Sequence, residues 1–146
     1  MTLGDKQRLF AKLFAELVLW VYDQGYEVTY GEFYRSDEQA VINVLGPVGR
    51  QDLCSLLERN SATNLRFHDL SVAISNNTGS GILKTLHGLK IAADINLFLG
   101  GRYLSDSDAY QFAGNKWKAM HPENRWGGDF STPDGNHFSI EHEGVK

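Results

Sequence analysis

The chain has 146 residues, 42% of them hydrophobic and 22% charged, and a formal net charge of -4 with histidine neutral. That length suits one domain, 1–146, with a buried core, and the ordinary composition excludes a disordered tail or a fibrous repeat. The acidic balance, without an Arg/Lys stripe interleaved with aromatics, sets nucleic acid aside as a partner, and the lone Cys54 excludes both an intrachain disulfide and a cysteine-based zinc cluster.

Residues 5–24 are predicted as a helix. Phe10, Leu13, Phe14, Leu17, Val18 and Val21 fall on one face at helical period, and Gly25 is a suitable stop. The apolar run 17–22 within it is far shorter than the roughly 20 residues that span a bilayer, and it lacks the cleavage site of a signal peptide. No membrane insertion is expected.

Residues 26–34 are rich in β-branched and aromatic side chains and read as a strand, with a bend at Gly31. A short helix is predicted from Ser36 or Asp37 to Leu45, ended by Gly46 and Pro47. Between 46 and 86 the pattern is weak. Leu53, Leu56 and Leu57 suggest a helical turn or two, and 75–81 is a polar, glycine-bearing loop of the kind that covers binding sites.

Residues 90–99 read as a core strand, followed by a Gly100-Gly101 turn. Ser105 to Asp108 resembles a capping-box helix start, and Tyr110, Ala113, Trp117 and Met120 mark the buried face of the helix that Pro122 ends. Residues 125–135 hold three glycines and a proline and are expected to be irregular, before a last short strand around Phe138 and Ile140.

Of the five histidines, two carry a pattern. His87 stands seven residues before Asp94, which lies inside an otherwise core-like strand. A carboxylate there is costly to bury unless it is paired or bound to a metal; the rival reading is a solvent-facing Asp on an edge strand. Asp134-Gly135 is a tight-turn signal with His137 just after it, which an ordinary hairpin would also produce. His142, five residues after His137, would face the opposite side of a strand. His68 and His121 have no acid at a telling spacing.

Taken together and in this order, these segments resemble the zinc peptidase family of D-Ala-D-Ala carboxypeptidases and L-alanyl-D-glutamate peptidases. The family signature S-x-H-x-x-G-x-A-x-D is matched by His87, Ala92 and Asp94, and its downstream acid-x-x-His by Asp134 and His137. Upstream, Tyr34-Arg35-Ser36 with Gln39 is similar to the family's Y-R-S-x-x-Q. Trp126 to Phe130 and Ala92 to Phe98 are similar to the short phage endolysins of this family. Thr85 replaces the usual Ser, Lys90 stands where the family prefers Gly, and the stretch from Gln39 to His87 is long.

The resemblance implies an α+β fold of the hedgehog/DD-peptidase type, a small antiparallel sheet carrying a zinc site and packed against helices. It implies one zinc per chain held by His87, Asp94 and His137, with Asp134 as general base and Arg35 as a catalytic and substrate-binding group. Gln39, Thr85 and Trp126 are expected to contact substrate, with Gly127 and Gly128 giving a peptide backbone room to approach. Two imidazoles and one carboxylate leave a metal cationic enough to activate water near neutral pH.

The expected activity is that of a phage-type endolysin, a monomer hydrolysing the L-Ala–D-Glu bond of the peptidoglycan stem peptide. Without a signal peptide, it would be made in the host cytoplasm and released to the wall by a separate permeabilising protein. The alternatives are a D-Ala-D-Ala carboxypeptidase or dipeptidase, in which Arg35 grips a terminal carboxylate, and a non-catalytic zinc-containing binding module.

Overall fold

The computed structural model describes residues 1–36, 39, 40, 43 and 85–145. Packing divides the chain into two units, Met1–Arg35 with Thr85–Lys146, and Ser36–Lys84. In the second, Gln39, Ala40 and Asn43 are helical. The rest of the helix expected up to Leu45, the turns around Leu53 to Leu57, His68 and the 75–81 loop lie outside the described residues.

In the first unit, helix α1 spans Leu3–Asp23. It starts two residues earlier than its apolar period suggests because Thr2 and Asp5 form a capping box that satisfies both ends of the first turn. Phe10, Leu13, Phe14, Leu17, Val18 and Val21 are all buried, each contributing roughly 1.5–3 kcal/mol of apolar burial. Gly25, at φ 86, turns the chain into strand β1, Glu27–Tyr30.

Strand β2, Ala92–Leu99, is the spine of the sheet. Gly100 and Gly101, at φ 57 and 76, make a two-residue hairpin into β3, Arg102–Leu104, with Leu99 opposite Arg102. Both central residues of such a turn need positive φ, so glycine suits both. The 3-10 turn Ser107–Tyr110 leads into α2, Gln111–Met120. The expected capping box is not made: Asp106 occupies the cap position of the 3-10 turn and forms no side-chain cap bond. Tyr110, Ala113 and Trp117 are buried as predicted. Helix α2 ends at Met120, and His121, the residue before Pro122, is extended as proline requires.

The glycine-rich stretch after it is more regular than expected. Strand β4, Asn124–Trp126, precedes a 3-10 turn at Gly127–Asp129, and β5 is His137–Ile140. All pairings are antiparallel, in the order β1-β2-β5-β4, with β3 also on β2. The architecture is α+β, a small antiparallel sheet with helices against it, as the sequence indicates.

Strand alternation separates the faces of the sheet. Ala93, Ile95, Leu97, Phe138 and Ile140 join α1 and α2 in one apolar core. Phe14 and Trp117 ring edges meet Phe138, and the Trp117 indole N–H reaches the Arg125 and Ser139 carbonyls at 3.0 Å. Asp94 and His137 alternate with those core residues and therefore face the other way. No helix among the described residues is long and apolar enough to cross a membrane.

Candidate metal centre

Register builds the site. Asp94 of β2 and His137 of β5 are directly opposite partners in the antiparallel ladder, so their side chains project side by side from one face. Forty-two residues separate them in sequence, and only strand pairing brings them together.

His87 arrives from a tight turn just before β2. The Thr85 hydroxyl accepts from Gly88 N–H at 3.1 Å, and backbone bonds Lys90 to His87 at 3.0 Å and Ile91 to Leu86 at 3.1 Å close the turn. Lys90, where the resemblance places Gly, sits at φ 59. This is the left-handed conformation that glycine adopts freely and lysine at a cost. The turn between the two ligands therefore keeps a glycine-type backbone despite the substitution.

The three side chains converge on one point. His87 Nε2 lies 3.2 Å from His137 Nδ1 and 3.3 Å from Asp94 Oδ1, and His137 Nδ1 lies 3.0 Å from Asp94 Oδ1. This is a nearly equilateral triangle of ligand atoms, one from each residue, able to hold a metal ion. A tetrahedral metal with bonds of about 2.0–2.1 Å places its ligands about 3.3 Å apart, so the edges match that geometry closely. Hydrogen bonds alone explain the arrangement poorly, because two ring nitrogens face each other and both face the same oxygen. Two imidazoles with a carboxylate make a donor set of the kind zinc takes in hydrolytic sites.

Burial sharpens the electrostatics. The side chains of His87 and His137 are 5% and 10% exposed, and that of Asp94 is 19% exposed, so the opening to solvent is on the carboxylate side. Burial alone would push the Asp94 carboxyl up. The hydrogen bonds from His137 and His87, with the charges of both rings, overcome it and hold the carboxyl down to about 2. Asp94 is thus an anion at any physiological pH, as a metal ligand must be.

Around this centre the other expected residues divide. Asp134 lies in the turn before β5: its backbone N–H donates to the Gly127 carbonyl at 2.9 Å, its carbonyl accepts from His137 N–H at 3.1 Å, and its side chain is exposed. Arg35 is close enough for the Asp94 charge to act on it, but its guanidinium is already engaged. Nε donates to both Glu32 oxygens at 2.9 and 3.0 Å, and Nη2 donates to Oε2. These bonds raise the Arg35 pKa against a smaller opposing effect of burial, and the charges of Glu32 and Asp94 add to the rise. Gln39 is in the other unit, where its side-chain amide donates to Asn43 at 2.7 Å.

Trp126 and Thr85 each have a role within the fold. Trp126 is only 3% exposed, and its indole N–H donates to the Gly135 carbonyl at 2.7 Å. Its ring lies against Gly114 and Gly128, where a Cβ would come within 2.2 Å of ring carbons. It supports the turn below the site. The space at Gly127 is likewise filled by the protein itself, since a Cβ there would lie 2.2 Å from the Asp134 carbonyl oxygen and 2.8 Å from His137 Cβ. The Thr85 hydroxyl is used in shaping the His87 turn.

Glu32 was missed by the sequence reading. Its backbone carbonyl accepts from Asp94 N–H at 2.9 Å, which fixes it beside the site. The Glu32–Arg35 spacing of three is the one available signal. His121 Nδ1 accepts from Glu123 N–H at 3.2 Å, and His142 bridges to Val145, so neither joins the centre.

No family model matches this chain, and no curated protein matches it. Among solved structures, it is similar to a mutant of the vancomycin resistance D,D-pentapeptidase VanY from a VanB-type resistance cassette, in complex with Zn(II). The identity is 14%, the match covers 90% of this chain and 70% of that one, and the TM-score is 0.47. A likeness of that size assigns neither family nor activity.

Proposed function

We propose that this chain is a zinc-dependent peptidase of the phage endolysin type, hydrolysing the L-Ala–D-Glu bond in the stem peptide of bacterial peptidoglycan. The observation that carries the metal reading is the triangle of His87 Nε2, His137 Nδ1 and Asp94 Oδ1, with edges of 3.0–3.3 Å. Support for the substrate comes from the ordered sequence segments around Arg35, His87–Asp94 and Asp134–His137.

Zinc held there would supply Lewis-acid polarisation of a peptide carbonyl and water activation near neutral pH. The protein's own part is to hold, orient and move protons. The β2–β5 register fixes two donors and the Thr85–Lys90 turn fixes the third. Asp134, exposed beside His137, takes a proton from the attacking water and returns it to the leaving amine. Arg35, held by Glu32, is kept near Asp94, with its remaining N–H groups as donors for a developing oxyanion. The carboxypeptidase alternative needs Arg35 free to grip a terminal carboxylate, and its engagement by Glu32 favours the endopeptidase reading.

The test combines zinc content with clearing of purified peptidoglycan. Wild type should carry about one zinc per chain and clear the walls, releasing new amino groups in place of free D-alanine. His137→Ala should lose both zinc and clearing. Asp134→Asn should keep zinc and lose clearing, which separates catalysis from binding and guards against a folding defect in the first variant. A wild type that binds no zinc would overturn the metal centre. Zinc without clearing, in a folded wild type, would leave the metal site standing and return the chain to the carboxypeptidase or binding-module alternatives.

A further inference from the structure

A cavity of about 430 Å³ opens between α1 and the chain leaving β1, with Phe10, Phe14, Phe33 and Tyr34 among its walls. Ala92 also lines it, two residues before Asp94 on β2. At the strand rise of roughly 3.3–3.4 Å per residue, that puts it about 7 Å from the metal ligand, the length of two residues of extended peptide. Its walls are mainly apolar, and among the described residues the lysine on them is Lys90, with Nζ 5.1 Å from the centre of the Tyr34 ring.

Lys90 is held in a conformation that disfavours it. Its φ of 59 suits glycine, and a glycine would close the His87 turn with less strain. The side chain is exposed, and among the described residues no carboxylate lies within ion-pairing distance of it. Arg35, the other cation near this end of β2, is occupied by Glu32. A cation kept on a strained backbone, beside an aromatic ring at the wall of a cavity, is arranged to meet an anion from outside.

We infer that Lys90 is a specificity-determining residue that receives a carboxylate of the substrate, with the neighbouring apolar cavity taking the adjoining part of the peptide. The inference rests on the peptidase reading above. A stem peptide carries free carboxylates near its cleavable bonds, and this subsite selects for one within about two residues of the bond cut. Neutral or amidated peptides lose that contact.

The experiment compares wild type, Lys90→Gly and Lys90→Arg on a soluble stem peptide and on the same peptide with its carboxylates amidated. Lys90→Gly should raise KM for the acidic peptide by about five- to tenfold, with the loss falling on KM more than kcat. On the amidated peptide it should match wild type. Lys90→Arg should recover most of the loss. Thermal melting of Lys90→Gly should be unchanged or higher, because glycine relieves the strained φ, whereas a merely structural lysine would lower it.

An unchanged KM for the acidic peptide, or equal losses on both peptides, would overturn the inference. If wild type cleaves neither peptide, the peptidase reading fails separately. Calorimetric binding of the acidic peptide then decides the subsite: binding to wild type that Lys90→Gly weakens supports it, and equal binding or none removes it.

Discussion

Two polar clusters sit at opposite ends of β5, and they are built on different rules. At the far end, every charge has its counterpart within the protein. Lys6, buried by α1, donates to Glu123 at 3.0 Å and to the Glu141 carbonyl at 2.6 Å, and Arg125 Nε donates to Glu141 at 2.9 Å. At the near end, His87, Asp94 and His137 point their donor atoms at a common centre that none of them fills. Each cluster also leaves a buried atom without a hydrogen-bond partner among the described residues, His87 Nδ1 at the near end and Glu123 Oε2 at the far end. Stability alone would give each group a partner of its own, whereas at the near end two ring nitrogens face each other and share one carboxylate oxygen. The first cluster fastens α1 to the sheet edge, and the second is shaped for something the chain does not itself contain.

The largest expected effect separates the clusters by their response to metal. With zinc at 1,000 times its dissociation constant, wild type should gain about 4 kcal/mol of stability. Asp94→Asn, which removes the anionic ligand, should gain almost nothing from zinc, while Lys6→Met should keep the full zinc-dependent rise in melting temperature. Thermal melts with and without zinc read all three. A zinc response in Asp94→Asn equal to that of wild type would mean the triangle is not where the metal sits.

Next in size is Gly127→Ala. Its new methyl would meet the Asp134 carbonyl oxygen and His137 Cβ at distances no packed structure tolerates. The backbone under His137 must shift, costing about 3 kcal/mol and weakening zinc as well. Loss of stability with zinc affinity intact would show that the metal centre tolerates movement of this turn.

The same contrast explains how much could be read from the sequence. Helix α1, strand β2 and the buried face of α2 announce themselves by apolar period, and the Gly-Gly turn by its residues. Strand β4 does not, because three residues between Pro122 and Gly127 carry no period; pairing with β5 makes Asn124–Trp126 a strand. The convergence of Asp94 with His137 depends on register, which no local pattern encodes, and in the sequence only the family resemblance points to it. Trp126 is ambiguous in the sequence because an aromatic in a glycine-rich stretch suits a cleft as well as a core. Its indole bond to Gly135 and its tight packing against Gly114 and Gly128 are three-dimensional facts that no local pattern carries.

The smallest effect tests the paired cluster on its own terms. Lys6→Met removes the cation from a site where it is 6% exposed and leaves the Glu141 carbonyl without its donor, for a loss of about 1–2 kcal/mol at neutral pH. The hydrogen bond from Lys6 is the largest of the effects holding the Glu123 carboxyl below its ordinary value of 4.5. A carboxyl lowered by folding adds stability above its unfolded value, and that contribution fades as pH falls through the folded one. The gap between wild type and Lys6→Met should therefore be widest at neutral pH and narrow as the solution is acidified below pH 4.5, leaving the share due to the Glu141 carbonyl. Urea titrations at several pH values measure it, with and without zinc. A gap that stays constant into acid would assign the whole loss to packing and the carbonyl bond. A gap that changes with zinc would mean the two ends of β5 are coupled, and the division between a fastening cluster and a functional one would no longer hold.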